Sequence, residues 1–281
     1  MKLLRYGAVG LEKPAAIDLE GNIRCLSDVV DDIDGTSIQR TSIERLKKLD
    51  LSKLPLVSDT VRIGPCVAGV GKFLCIGLNY SDHAKESGMA VPPEPVVFSK
   101  FVSAICGPND DIVKPRGSTK LDWEVELGLV IGEKTSYVSE SDAMASVAGF
   151  CVCNDISERE FQLERSGQWD LGKGCDTFGP IGPWLVTPDE IDDVMDLKMW
   201  LKVNGRRFQD GNSKTMIFSP AKIVSFLSQY MTLMPGDVIS TGTPPGVGFG
   251  QNPQVYLDVG DSMTLGIQGL GLQTQRVVAD Y

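Results

Sequence analysis

Asp122-Trp123-Glu124-Val125-Glu126-Leu127-Gly128-Leu129-Val130-Ile131 sets two carboxylates inside a run that otherwise reads as a buried strand. Side chains two apart in a strand project from one face, so Glu124 and Glu126 point the same way out of a hydrophobic element. Two like charges held that close repel unless a proton or a cation lies between them. Carboxylate oxygens suit a hard divalent ion such as Mg2+, Mn2+ or Ca2+. A strand with one wet face shows the same Glu-x-Glu spacing, so the pair signifies chemistry only if other parts of the chain supply partners.

The chain as a whole is of ordinary globular composition. Its 281 residues suffice for a sizeable core. With 27 Lys plus Arg against 37 Asp plus Glu the net charge is -10, which argues against nucleic acid and anionic membrane surfaces as partners. No apolar run reaches the ~20 residues that span a bilayer, and Met1 to Gly7 lacks the apolar core of a secretory signal; a cytoplasmic protein is expected. Seven cysteines without a Cys-x-x-Cys pair read as reduced, buried small hydrophobes, Cys151 and Cys153 sharing one strand face. A single histidine excludes a zinc site built from two or three histidines of one chain.

Along the chain, residues 1–65 read as a small amino-terminal domain. It has a strand-like start, a turn at Leu19-Glu20-Gly21-Asn22 and a helical pattern over Ile43 to Leu49. Residues 66–281 read as the main domain, beginning with a core strand at Phe73-Leu74-Cys75-Ile76-Gly77. Gly and Pro then punctuate short strands at Gly107-Pro108, Gly179-Pro180, Gly182-Pro183, Pro235-Gly236 and Pro244-Pro245-Gly246. That spacing predicts an α+β, β-rich fold rather than a βαβ repeat.

Four further segments offer chemistry. In Asn154-Asp155-Ile156-Ser157-Glu158-Arg159-Glu160-Phe161-Gln162, Ser157 and Glu160 form a capping-box pattern, placing Asp155 at a strand end and Arg159 and Gln162 on one helical face. Asp155 alone reads as a cap or turn residue; with Glu124 and Glu126 it gives three carboxylates able to hold an octahedral ion with positions open for water and substrate. Asp82 or Ser81 can cap a short helix in which His83 and Glu86 lie three apart. There a carboxylate can fix the imidazole tautomer so that the other ring nitrogen takes a proton from water; a surface His beside a surface Glu has the same spacing. Lys173, between Gly172 and Gly174, falls in an expected loop, solvated or stabilising an oxyanion. Ile239 to Gly248 runs from a strand into a glycine-rich turn whose hydroxyls and amides could take a substrate carboxylate, or simply link two strands.

Taken together, these stretches resemble the fumarylacetoacetate hydrolase family. The matches are Gly77 to Tyr80 through His83 and Glu86, Asp122 to Glu126, Asn154-Asp155, Lys173 to Phe178, Val203-Asn204-Gly205, Met231 to Gly248 and Gly260-Asp261, in family order over residues ~70 to 281. The resemblance implies a mixed β-roll with a small amino-terminal domain, usually in a homodimer. It implies Glu124, Glu126 and Asp155 as Mg2+ or Mn2+ ligands and His83 with Glu86 as the water-activating dyad on a lid. Lys173 is implied as the electrostatic catalyst, and Tyr80, Arg159, Gln162 and Thr243 as substrate contacts, Thr243 at its carboxylate. The implied activity is carbon-carbon cleavage of a 2,4-diketo acid, with activated water adding at the far carbonyl and pyruvate leaving as its enolate.

Two details concern the substrate. The branch acting on acylpyruvates and oxaloacetate commonly has Arg at the place of Leu78 and Pro at that of Phe101, after the lysine matching Lys100, so this site has lost a cation there. Met1 to Gly7 with Glu12-Lys13-Pro14, and Asp210-Gly211-Asn212-Ser213, resemble bacterial members hydrolysing 2,4-diketo-3-deoxy sugar acids of the rhamnonate and fuconate type. The rivals are a decarboxylase or isomerase of a dicarboxylic oxo acid (oxaloacetate or 2-hydroxyhepta-2,4-diene-1,7-dioate), a ureidoglycolate lyase, and an idle metal-binding scaffold.

Overall fold

The computed structural model describes residues 1–82 and 91–280. At the amino terminus β1 (Lys2–Tyr6), β2 (Lys13–Ile17) and β3 (Ile23–Cys25) form an antiparallel meander, its second turn closed where Asp18 N–H donates to Asn22 O at 3.0 Å. The helical pattern after it gives the helix Arg40–Leu46, with Ile43 and Leu46 buried. The apolar run Phe73–Gly77 forms β4, and Val96–Lys100 forms β5 beside it. Short β6 (Ile105–Cys106), β7 (Ile112–Lys114) and β8 (Leu121–Asp122) precede the long, wholly buried β9 (Val125–Ile131) and β10 (Val147–Asn154). The remainder is β11 (Ser157–Glu158), β12 (Gly179–Val186), β13 (Lys198–Val203), β14 (Arg206–Asn212), β15 (Val238–Ser240), β16 (Ser262–Ile267) and β17 (Gly271–Ala279).

β9 lies inside a ten-stranded sheet ordered β3-β2-β1-β12-β10-β9-β15-β4-β5, with β6 on β12; a five-stranded sheet is ordered β14-β13-β16-β17-β7. Parallel pairs β4–β15, β6–β12 and β7–β17 sit among antiparallel ones, so the architecture is the mixed, strand-rich α+β roll that the sequence predicts.

The two-residue period of β9 divides its side chains between two cores. Val125, Leu127, Leu129 and Ile131 join Met199, Leu201 and Val203 of β13 and Met263 and Leu265 of β16 in the core between the sheets. Val130 joins the opposite core with Ala148, Cys151 and Cys153 of β10 and Leu3, Ile33, Ile38 and Leu46 of the amino-terminal segment. Glu124, Glu126 and Gly128 share the parity of Val130. The amino-terminal residues thus share both a sheet and a core with the rest: β1 pairs with β12, Leu3 opposite Leu185, and the sheet runs across residue 65. Among the described residues no helix is long and apolar enough to cross a membrane.

Candidate active site

The β9–β10 register builds the centre of the site. Glu126 pairs with Cys153, and Asp155, two residues past Cys153, therefore emerges on the face that carries Glu126. Its amide donates to Glu124 O at 2.9 Å, holding the strand end against the Glu-x-Glu segment. The three carboxylates are buried, and each offers an oxygen within 4.8 Å of the others.

Among the described residues three cations surround them. Lys173 Nζ donates to Glu124 Oε2 at 2.6 Å and Asp155 Oδ2 at 2.8 Å. Arg159 Nη2 donates to Glu124 Oε1 at 2.6 Å, its Nε to Asp122 Oδ2 at 2.9 Å and its Nη1 to Gln162 Oε1 at 3.0 Å. Lys100 Nζ, fully buried, bonds to Asp155 Oδ1 and donates to Ile156 O at 2.9 Å. Glu126 differs: it has no cationic partner among the described residues and accepts only from Ser240 Oγ at 2.5 Å and Gly242 N–H at 2.9 Å, both at Oε2. Gly242 has φ +97°, and a Cβ there would meet Asn79 Cβ at 2.9 Å and Ile76 O at 3.0 Å, so glycine is what brings that amide to Glu126.

The proton affinities follow from this arrangement. Burial pushes Glu124 up, but Arg159 and Lys173 outweigh it and hold the carboxyl well below the usual range. Burial, then the charges of Asp155 and Glu124, push Glu126 up to about 8. Burial depresses Lys173, but Asp155 and Glu124 raise it above the ordinary lysine value, so it stays an ammonium. Among the described residues a positive charge is therefore missing at one place, beside Glu126. Three hard oxygen donors converging on one point, one of them lacking a counter-charge, fit a divalent cation, and Glu124, Glu126 and Asp155 are the residues that would hold it.

A cavity opens on this cluster, lined by Glu124, Glu126, Arg159, Gln162, Lys173 and Thr243 and walled by Leu78, Phe98, Leu163, Trp169 and Phe249. Leu78 sits at φ +55° just past β4, a conformation costly for a residue with a side chain and concentrated at functional sites. Of the expected substrate contacts, Arg159, Gln162 and Thr243 line the cavity. Tyr80 does not. It is fully buried, its hydroxyl 3.1 Å from Met199 Sδ in the core between the sheets. Thr243 Oγ1 is also committed, donating to Val125 O at 2.9 Å and accepting from Gln209 Nε2 at 2.8 Å. The amide of the glycine-rich turn at Gly242 likewise serves Glu126, and Thr241 Oγ1 serves Leu127 O, rather than an open anion site. His83 and Glu86 lie outside the described residues.

Two readings of local sequence are corrected. Lys173 is not in an exposed loop; it ends the helix Asp170–Lys173 and is buried, because its flanking glycines let the helix pack tightly, a Cβ on Gly172 meeting Glu158 O at 2.5 Å. The Ser157–Glu160 capping box does not form: Ser157 is in β11 and donates to Asp155 O, while Glu158 caps the helix Arg159–Leu163 by accepting from Glu160 N–H at 3.1 Å. Arg159 and Gln162 nonetheless share a face as predicted. Asp122, first residue of the opening motif, has a part the sequence did not reveal. Its Oδ1 accepts from Gly248 N–H at 2.6 Å and its Oδ2 from Phe249 N–H at 3.0 Å as well as from Arg159, so one carboxylate ties the cavity roof to the guanidinium. Asp122→Asn replaces an acceptor with a donor facing two donors. Turnover is expected to fall about 10- to 100-fold, as for supporting groups around metal sites, measured as kcat/KM; wild-type turnover in this variant would remove Asp122 from the machinery.

Comparison with known proteins agrees with this geometry. The family model described as fumarylacetoacetate (FAA) hydrolase C-terminal matches residues 72–278. A relative from Burkholderia cenocepacia (strain HI2424), provisionally named a hydrolase, is 59% identical over 277 residues, 98% of each chain. The structure of fumarylacetoacetate hydrolase from psychrophilic Exiguobacterium antarcticum is similar at TM-score 0.88 and 34% identity, covering 100% of both chains. That of 5-carboxymethyl-2-hydroxymuconate delta-isomerase from Mycobacterium smegmatis is similar at TM-score 0.77 and 30% identity, again over 100% of both. With the ordered motifs, the roll and the carboxylate cluster all in agreement, the chain belongs to the fumarylacetoacetate hydrolase family.

Proposed function

We propose that the protein is a Mg2+- or Mn2+-dependent hydrolase that cleaves a carbon-carbon bond of a 2,4-diketo acid, releasing pyruvate and a smaller acid. The observation that carries the proposal is the convergence of Glu124, Glu126 and Asp155 to within 4.8 Å beside a cavity. When bound, a divalent ion supplies the Lewis acidity that draws electrons from a chelated 2-oxo acid. Around it, Lys173 is an ammonium fixed by two carboxylates, ready to stabilise negative charge as the bond breaks. Arg159 is locked by Asp122 and Glu124 and turns Gln162 so that its amide nitrogen, without an acceptor among the described residues, can donate to substrate. Phe98, its ring centroid 5.0 Å from Lys173 Nζ and edge to face with Trp169, covers one side of Lys173.

His83, oriented by Glu86, is proposed as the base that activates water. His83→Ala is expected to lower pyruvate release about 10²- to 10⁴-fold while Mn2+ binding persists; unchanged turnover would eliminate this base. A second reading, isomerisation or decarboxylation, draws support from the similarity to the delta-isomerase of Mycobacterium smegmatis, since the same electron sink without a placed water gives those outcomes. The panel that separates them is pyruvate release from diketo acids against oxaloacetate consumption, with oxaloacetate outrunning every diketo acid as the result that overturns the hydrolase. The deoxysugar acid suggested by sequence is one member of that panel; neither Met1 to Gly7 nor Asp210 to Ser213 lines the cavity. A homodimer in the cytoplasm is the proposed working form.

A further inference from the structure

Much of the cavity wall is apolar, and every described cation lining it is already engaged. Arg159 spends its guanidinium on Asp122, Glu124 and Gln162. Lys173 spends its ammonium on Glu124 and Asp155. The Thr243 hydroxyl is held between Val125 O and Gln209. What remains for the rest of a ligand is the amide of Gln162 and a mainly apolar lining in which five large side chains stand out, Leu78, Phe98, Leu163, Trp169 and Phe249. None of the five is buried, and Leu163 is 37% exposed.

These five are not surplus core. Gly77 is required for Trp169 to stand where it does, since a Cβ at Gly77 would lie 2.7 Å from Cζ3 of the indole. Trp169 in turn meets Phe98 edge to face, and Phe249 is seated near Arg159 by the Asp122 bond to its amide. The wall is thus held in place by its neighbours. A ring or alkyl group placed against it leaves water for carbon on several sides. A second carboxylate placed there would meet no unengaged cation among the described residues. A polyhydroxylated chain would find one amide for several hydroxyls.

We propose that the substrate presents an uncharged alkyl or aryl group at the end remote from the carboxylate triad, rather than a second carboxylate or a polyhydroxylated chain. This rests on the reading of the site as a 2,4-diketo acid hydrolase, and it narrows the substrate to monocarboxylic acids with an apolar far end. The discriminating experiment measures pyruvate release with Mg2+ from four compounds. These are 2,4-dioxopentanoate, 4-phenyl-2,4-dioxobutanoate, 2,4-dioxohexanedioate and a 3-deoxy-2,4-dioxo sugar acid. The phenyl compound is expected to exceed the dicarboxylate and the sugar acid by at least about tenfold in kcat/KM, the scale on which a pocket rejects a group it cannot pair. Turnover of 2,4-dioxopentanoate with the dicarboxylate or the sugar acid equal to or above the phenyl compound overturns the apolar assignment and leaves the hydrolase standing. Cleavage of none of the four overturns the hydrolase and this inference with it. In Trp169→Ser, and in the partly exposed Leu163→Asn should the first fail to fold, the phenyl-to-methyl ratio of kcat/KM is expected to fall at least about fivefold; a ratio unchanged in the folded variant contradicts the wall's part in binding.

Discussion

Glu126→Gln is expected to abolish divalent-ion binding and lower turnover by more than about a thousandfold, since even supporting groups of metal sites cost about 10- to 100-fold, while leaving the metal-free fold no less stable. The two effects separate because of what surrounds the residue. Glu126 is the one carboxylate of the three without a cationic partner among the described residues, and its Oε2 accepts from Ser240 Oγ and Gly242 N–H. A glutamine oxygen can accept the same two bonds. The carboxyl itself, pushed up to about 8 by burial and then by Asp155 and Glu124, holds its proton more tightly in the folded chain than in the unfolded one. In metal-free protein its contribution therefore falls as pH rises from the ordinary glutamate range toward 8 and stays lost above it. Glu126→Gln removes that fall. Denaturant titrations across this pH window should show the variant gaining on wild type as pH rises; a variant losing ground would contradict the account of Glu126 as a charge waiting for a counter-ion.

Lys173→Met should be damaging in two distinguishable ways. The ammonium is the shared partner of Glu124 and Asp155, at 2.6 and 2.8 Å, and all three groups are buried. Removing one member of a buried charge network leaves the others uncompensated, a loss of roughly 3–5 kcal/mol. Arg159 still holds Glu124 and Lys100 still holds Asp155, so the lower end of that range is expected. Because a divalent ion would supply part of the missing positive charge, Mn2+ should raise the melting temperature of Lys173→Met more than that of wild type. Turnover should nonetheless stay down by about 10²- to 10³-fold, the usual loss when a group stabilising developing negative charge is removed. Recovery of both stability and activity with Mn2+ would show Lys173 to be structural only; the melting curves and the rates answer the two questions separately.

The parts of the site that could be read from the chain are those fixed by local periodicity. Glu124 and Glu126 share a face because strands repeat every two residues, and Arg159 meets Gln162 because helices bring together residues three apart. Asp155 does fall just past a strand end, as expected, although the capping box that pointed there does not form. What could not be read depends on neighbours distant in sequence. Lys173 looked exposed because glycines flank it, yet those glycines serve close packing against Glu158 and Gln162. The resemblance implied Tyr80 as a substrate contact, yet β13 supplies Met199 to cover it. Asp122 carried no reading of its own in the motif, and only the approach of Gly248 and Phe249, more than a hundred residues on, reveals a tether. Lys100 showed no local sign of its burial beside Asp155. The Ser157–Glu160 spacing was a real capping pattern defeated by pairing of β11 with β8, which takes Ser157 out of the cap position and leaves it to Glu158.

The most direct test of the carboxylate triad as a cation site is titration of Mn2+ into the metal-free protein, followed by water-proton relaxation, in wild type and in Glu126→Gln. One tightly held ion per chain in wild type, absent from the variant while its fold is intact, is the predicted result. Equal binding by both proteins, or no specific ion in wild type, would contradict the central claim that Glu124, Glu126 and Asp155 hold a divalent cation.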